Sequence, residues 1–231
     1  GKGVFRNFIA GLDYLYHHPL LLSVAFLAVL HCAFTMSYES MLPAISEDKM
    51  GAGRVGVSYL IAGVGAGALF ASVFLAGVRS ESTRGKLFLF FAFSSALGPI
   101  LLAWSDNTGL SVAATVIMGA NQAGFMTISH TIIQSLTEDH VRGRVAGVYS
   151  VHVGGSMAVT NMANAAFADV FSASAVLVVG GLIFVAAVFV SLGVNPLRRL
   201  YFPRPEPAAA VGHLTTVRVE ADAALRLRQG G

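Results

Sequence analysis

Apolar residues along this chain gather in long blocks, and charged residues are confined to the short stretches between them. Six blocks can be marked, at about 20–45, 55–78, 87–104, 110–135, 145–168 and 171–194. At ~1.5 Å of rise per helical residue, segments of these lengths reach across most or all of a hydrocarbon core of ~30 Å. The pattern predicts six membrane-crossing helices joined by short loops, an arrangement that favours antiparallel neighbours in one bundle. Ahead of the first block, Val4, Phe5, Phe8, Ile9, Leu12, Leu15 and Tyr16 recur at helical spacing, with Lys2, Arg6, Asn7 and Asp13 elsewhere around the helix. Residues 1–18 are therefore expected to form an amphipathic helix lying on the membrane surface, ended by His17-His18-Pro19. The bundle would occupy 19–195. Beyond Asn195-Pro196 the apolar period stops and Pro203-Arg204-Pro205-Glu206-Pro207 opposes helix, so 196–231 reads as a mostly disordered tail.

Composition agrees with a membrane location. Of 231 residues, 55% are hydrophobic and only 12% charged, where a soluble domain is about a quarter charged. Mean hydropathy is +0.70 and the sequence pI is 9.3. The basic residues behind that pI are scattered over loops and form no patch, which argues against nucleic acid as a partner. The single cysteine, Cys32, lies within an apolar block, so neither a disulfide framework nor a cysteine metal site is expected, and no cofactor is implied.

Charge also sets sidedness. The island Glu138-Asp139-His140-Val141-Arg142-Gly143-Arg144 separates two runs without formal charge, 110–134 and 145–168. Short loops rich in Lys and Arg stay cytoplasmic. Lys2 and Arg6, then Arg79, Arg84 and Lys86, then Arg142 and Arg144, then Arg198, Arg199 and Arg204 all fall on one side by alternation, and both termini are expected in the cytoplasm. The opposite loops hold Lys49 and Arg54, countered by Glu47 and Asp48, and otherwise Asp106 and Asp169.

Polar residues inside the blocks are the candidates for chemistry, because a charge at the bilayer centre costs at least ~2.5 kcal/mol and turns toward the bundle interior or a water cavity. The first block carries His31, Thr35 and Glu39 at intervals of four, and Glu39 is the only acid within a block, making it the candidate proton-coupling site unless it is simply solvated at the outer interface. The fourth contains Asn121, Gln122, Thr127, His130, Thr131 and Gln134; the fifth contains Tyr149, His152, Ser156, Thr160 and Asn164 as a stripe. His31, Asn121, His130, His152, Ser156 and Asn161 are the candidates for lining a substrate cavity, with interhelical hydrogen bonding as the competing role. Gly63 and Gly67 in the second block are helix-packing residues. The chain has no His-Glu-x-x-His, Gly-x-Ser-x-Gly or phosphate-loop pattern, and its histidines lack metal-ligand spacing, so neither an enzyme nor a metal site is expected.

Local motifs add a resemblance. Asp139-x-x-Arg142-Gly143-Arg144-Val145-x-Gly147-x-Tyr149 resembles the loop between spans ten and eleven of major facilitator superfamily exporters in the branch of the enterobactin exporter and macrolide efflux pumps. Arg6 to Pro19 resembles that branch's central-loop helix and the His-Pro opening span seven, and Leu42-Pro43 with Gly51 to Gly67 resembles the passage from span seven to eight. Gly77-x-Arg79-x-x-x-x-Arg84-Gly85-Lys86 departs from the family's loop pattern by lacking its Asp, which puts an Asp-to-Arg latch there in doubt. The resemblance covers roughly residues 1–200 and implies an all-α six-transmembrane-helix bundle, the C-terminal half of a twelve-helix transporter in a bacterial inner membrane. It further implies efflux of a small molecule such as a drug or siderophore by alternating access, with proton antiport. Asp139, Arg142, Gly143 and Arg144 would hold one face in register during rocking, or serve as topology anchors alone. The implied partners are a small-molecule substrate, protons, the bilayer, and an N-terminal six-span half or a second copy. A lipid-handling transporter of the same fold, such as one for lysophospholipids, and a non-transporting scaffold or sensor are the alternatives.

Overall fold

The computed structural model describes residues 2–78 and 80–202, and every regular element among them is helical. Arg79 and the tail at 203–231 lie outside the described residues. Helix α1 (Lys2–His17) is followed by α2 (Pro19–His31), α3 (Leu42–Met50), α4 (Gly53–Leu75), α5 (Glu81–Ser94) and α6 (Leu97–Trp104). Then come α7 (Thr108–Leu136), α8 (Arg142–Val170), α9 (Ala173–Gly193) and α10 (Asn195–Tyr201). Four stretches are long and apolar enough to cross a bilayer: Pro19–Met50, Gly53–Leu75, Thr83–Trp104 and Ala173–Gly193. Helices α7 and α8, at 29 residues each, have the length but carry more polar residues.

Proline and glycine explain most of the boundaries. Pro19 opens α2 straight after α1, as a residue without an N–H fits the first helical turn. Gly51 (φ 58°) and Gly53 (φ 48°) take left-handed conformations to turn α3 into α4, and the Gly51 N–H caps the Glu47 carbonyl at 3.1 Å. Asn107 caps α7 by accepting from the Leu110 N–H at 2.9 Å. The expected tail is helical at its start: Pro196 sits in the first turn of α10, and burial of Leu197 and Tyr201 one turn apart ties that helix to the bundle.

The first and third blocks are not continuous α-helices. After His31 the first widens into a π-type turn over Cys32–Met36, passes through Ser37 and Tyr38, and makes a 3-10 turn at Glu39–Met41 before α3. Pro43 contributes here, since it has no N–H to return to the Glu39 carbonyl, which accepts instead from the Leu42 N–H. The third breaks at Ser95-Ala96, and Pro99 likewise cannot bond the Ser95 carbonyl.

Helices α4 and α7 form the most extensive pairing. A Cβ on Gly67 would overlap the Val116 carbonyl oxygen, one on Gly119 the Val64 carbonyl oxygen, and one on Gly63 the Thr115 hydroxyl. Small residues therefore bring these backbones into direct contact. Elsewhere Gly11 seats α1 against the Arg144 carbonyl at the start of α8, and Gly85 seats α5 against the Leu200 carbonyl of α10. Consecutive helices α7 and α8 touch little by comparison.

The apolar core has two parts. One, including Leu15, Val24, Phe88, Phe125, Val145, Phe184 and Tyr201, fills the end nearer α1 and α10. The other, including Tyr38, Ile45, Leu60, Leu102, Met118 and Leu177, fills the opposite end. Between them, at the level of both helix breaks, runs a layer of polar side chains.

Candidate functional site

That layer is assembled from five segments. From the end of α2, His31 is fully buried, with its ring stacked on Phe125 at 4.1 Å between centroids and edge-on to Phe184 at 5.1 Å. Its Nε2 lies 2.9 Å from the Ser95 hydroxyl. Ser95 already donates its proton to the Phe91 carbonyl at 2.5 Å, so the imidazole Nε2–H is the donor to Ser95 Oγ. The adjacent Ser94 donates to Asn121 Oδ1 at 2.6 Å, and Asn121 Nδ2 returns a bond to the Ser94 carbonyl at 3.0 Å. The break in the third block is thus clamped from both sides, by α2 and by α7.

The break in the first block is held by α7, α8 and α9. Gln122 donates to the Thr35 carbonyl at 3.4 Å and accepts from the Tyr38 hydroxyl at 3.2 Å. Asn164 Nδ2 donates to the Ser37 carbonyl at 2.6 Å. Ser37 donates to the carbonyls of Cys32 and Met157 at 2.8 and 3.2 Å, and Ser40 donates to the Asn161 carbonyl at 3.0 Å. Gly180 of α9 completes the cradle, since a Cβ there would stand 2.6 Å from the Phe34 carbonyl oxygen. Irregular backbone at membrane depth persists only where protein or a wet cavity satisfies its carbonyls, and here polar side chains of other helices do so. Two buried atoms have no partner among the described residues: His31 Nδ1 and Asn161 Oδ1. An unpaired buried acceptor costs ~1–3 kcal/mol, so one beside unwound backbone marks a place where a ligand or water would bond.

The sequence candidates fall into three groups. His31 and Asn121 sit in the layer as structural partners of Ser95 and Ser94. His152, Ser156 and Asn161 lie half-buried on α8; at ~100° per residue His152 and Asn161 stand on opposite sides of the helix, and it is Asn161 that meets the first-block break, its carbonyl accepting from Ser40. His152 Nδ1 accompanies the Val148 carbonyl at 2.8 Å and Ser156 donates to the Val153 carbonyl at 2.9 Å, so both side chains bond only their own helix. His130 stands apart, exposed, with its ring edge-on to Tyr149 at 4.9 Å. Glu39 is exposed at the head of the 3-10 turn, on the rim of the break. What the spacing did not reveal is the breaks themselves, and with them Ser94 and Ser95. The available signals were Pro43 and Pro99, each preceded by a cluster of hydroxyl residues.

At the charged island, Arg142 pairs with Asp139 at 2.6 Å and donates to the carbonyls of Gln134 (3.2 Å) and Thr137 (3.3 Å), capping the C-terminal end of α7. Gly143 has open space around it, and the Arg144 side chain is exposed while its carbonyl receives α1.

Apolar helices of crossing length, irregular backbone held by polar side chains and a buried polar layer are features of an integral membrane protein. The chain belongs to the transmembrane secretion effector family, whose model, of major facilitator type, matches residues 2–202. It is accordingly a membrane transporter of that superfamily. Comparison with curated proteins and with solved structures gave no match.

Proposed function

We propose that the chain is the C-terminal six-span half of a secondary active exporter, with α7 and α8 crossing the membrane as the fourth and fifth spans beside the four apolar ones, and both ends cytoplasmic. A small molecule such as a drug or siderophore would be moved by alternating access across a bacterial inner membrane in exchange for protons. The observation carrying this reading is the broken first block, whose Thr35 and Ser37 carbonyls accept from Gln122 and Asn164 and whose Ser40 reaches the Asn161 carbonyl, with the Asn161 amide oxygen unpaired. Discontinuous helices near the bilayer midplane are where secondary transporters bind substrate and coupling ions. In this arrangement Asn161 contacts substrate, His152 and Ser156 line the cavity elsewhere along α8, and Glu39 on the rim exchanges protons with the aqueous side. A second six-span half encloses the cavity.

The test is dye uptake into everted vesicles containing the chain with its N-terminal half. An imposed proton gradient should drive uptake, and substrate addition should in turn dissipate the gradient. Uptake that survives collapse of the gradient would reject antiport. Failure of a folded, inserted protein to move any tested compound would reject export.

A further inference from the structure

On the outside of the bundle two clefts adjoin at the end where α5 meets α10. One is a largely apolar cleft of about 550 Å³ along α5, walled by Leu89, Phe90, Phe93, Ser94 and Leu97, with Lys86 at its charged end. The other, of about 620 Å³, is lined by Asn195, Arg198 and Arg199. Phe202 borders both, so a single molecule can lie across the boundary. Arg198, Arg199, Lys86 and Phe202 are exposed, and Phe90 and Leu97 stand 60% and 49% free. Among the described residues none of the three cations is ion-paired, and no acidic residue lines either cleft.

We infer that this double cleft is a binding site for one anionic phospholipid, its phosphate on Arg198 and Arg199 with Lys86 alongside, and an acyl chain in the groove of Phe90, Phe93 and Leu97. The division of chemistry argues for a lipid over a soluble anion. The cationic half opens where the membrane-embedded helix α9 ends, and the apolar half runs from there down a face of α5 exposed to hydrocarbon. Basic clusters at the ends of membrane helices recognise anionic headgroups, and guanidinium groups bind phosphate through paired N–H donors. The buried Tyr201, bonded to Ser191 at 3.0 Å, fixes α10 against α9 and so places both arginines.

Native mass spectrometry of the full chain in neutral detergent tests this, with phosphatidylglycerol and phosphatidylcholine of identical acyl chains as probes. Phosphatidylglycerol should be retained on the order of tenfold better. Arg198→Gln with Arg199→Gln should bring that preference close to one, whereas Arg198→Lys with Arg199→Lys should keep most of it. Arg6→Gln, a charge removed from α1, should leave it unchanged. Equal retention of both lipids by the unaltered chain, or a preference that survives the double glutamine variant, would overturn the inference. Displacement of phosphatidylglycerol by excess inorganic phosphate would assign the pocket to a soluble anion and overturn it equally.

Discussion

His31 of α2 and Ser95 at the break between α5 and α6 meet at 2.9 Å, so the last turn before one helix break is bonded directly to the other. Because Ser95 spends its proton on the Phe91 carbonyl, the imidazole supplies the hydrogen, and the pair ties two irregular segments into one layer.

Ser95→Ala should leave His31 Nε2 without an acceptor in a fully buried site, lowering stability by about 1 kcal/mol. His31→Ala should cost more, about 3 kcal/mol, because the stacking on Phe125 and the volume between Phe125 and Phe184 are lost as well. Thermal or denaturant unfolding in detergent checks both. A double variant no worse than His31→Ala would establish the coupling.

Gly67→Ala should be poorly tolerated, since its methyl group meets the Val116 carbonyl, and overpacking of this kind costs about 1–3 kcal/mol. Gly65→Ala, one residue pair away with nothing within 4 Å of the added atom, should be neutral or slightly stabilising. Comparing midpoints of the two variants separates interhelical contact from glycine content.

Asn161→Ala removes an amide oxygen that has no partner and leaves the backbone bond from Ser40 in place. Stability should change by less than about 0.5 kcal/mol. Transport should fall severely. Loss of both together would point to a structural role, and loss of neither would remove Asn161 from the substrate site.

At the charged island, Asp139→Asn should be nearly silent in stability, because its ion pair with Arg142 is exposed and such pairs contribute ~0–1 kcal/mol. Arg142→Ala should cost about 1 kcal/mol more, as two α7 carbonyls lose their cap. Unfolding curves of the two variants in parallel decide the ranking.

Burial pushes the Tyr201 hydroxyl from its ordinary value of 10 up to about 12. A group whose folded value is raised contributes fully below its unfolded value and loses that contribution as pH climbs through the folded one. The stability advantage of the unaltered chain over Tyr201→Phe should therefore hold below pH ~10 and shrink between ~10 and ~12. Midpoints of the two chains measured across that range give the difference directly.

Helix positions were legible because each block is longer than any core helix needs, and Pro19 and the glycines at 51 and 53 fix the turns without help from tertiary contacts. The helical spacing of Phe8, Leu12 and Leu15 marks α1 as a helix, and its inner face meets α8 as well as α2. The breaks were not, because hydropathy averages over a window and sees the same apolar content whether a carbonyl bonds its own helix or Asn164 of another. Asn121 was visible as a polar residue in an apolar run, but its partner is Ser94 across the bundle, and spacing along one helix carries nothing about a second. The start of the tail misled for a local reason: Pro196 ends one helix while fitting the first turn of the next.

The seating of Gly67 on Val116 and Gly119 on Val64 has a bearing on biosynthesis. Helix α4 is translated well before α7, so its glycine-lined face has to wait, unmatched, while α5 and α6 are made and inserted. This close joint therefore cannot form until α7 has been made. A chain that stops after α6 has a second block without the α7 surface that its glycines are shaped to meet.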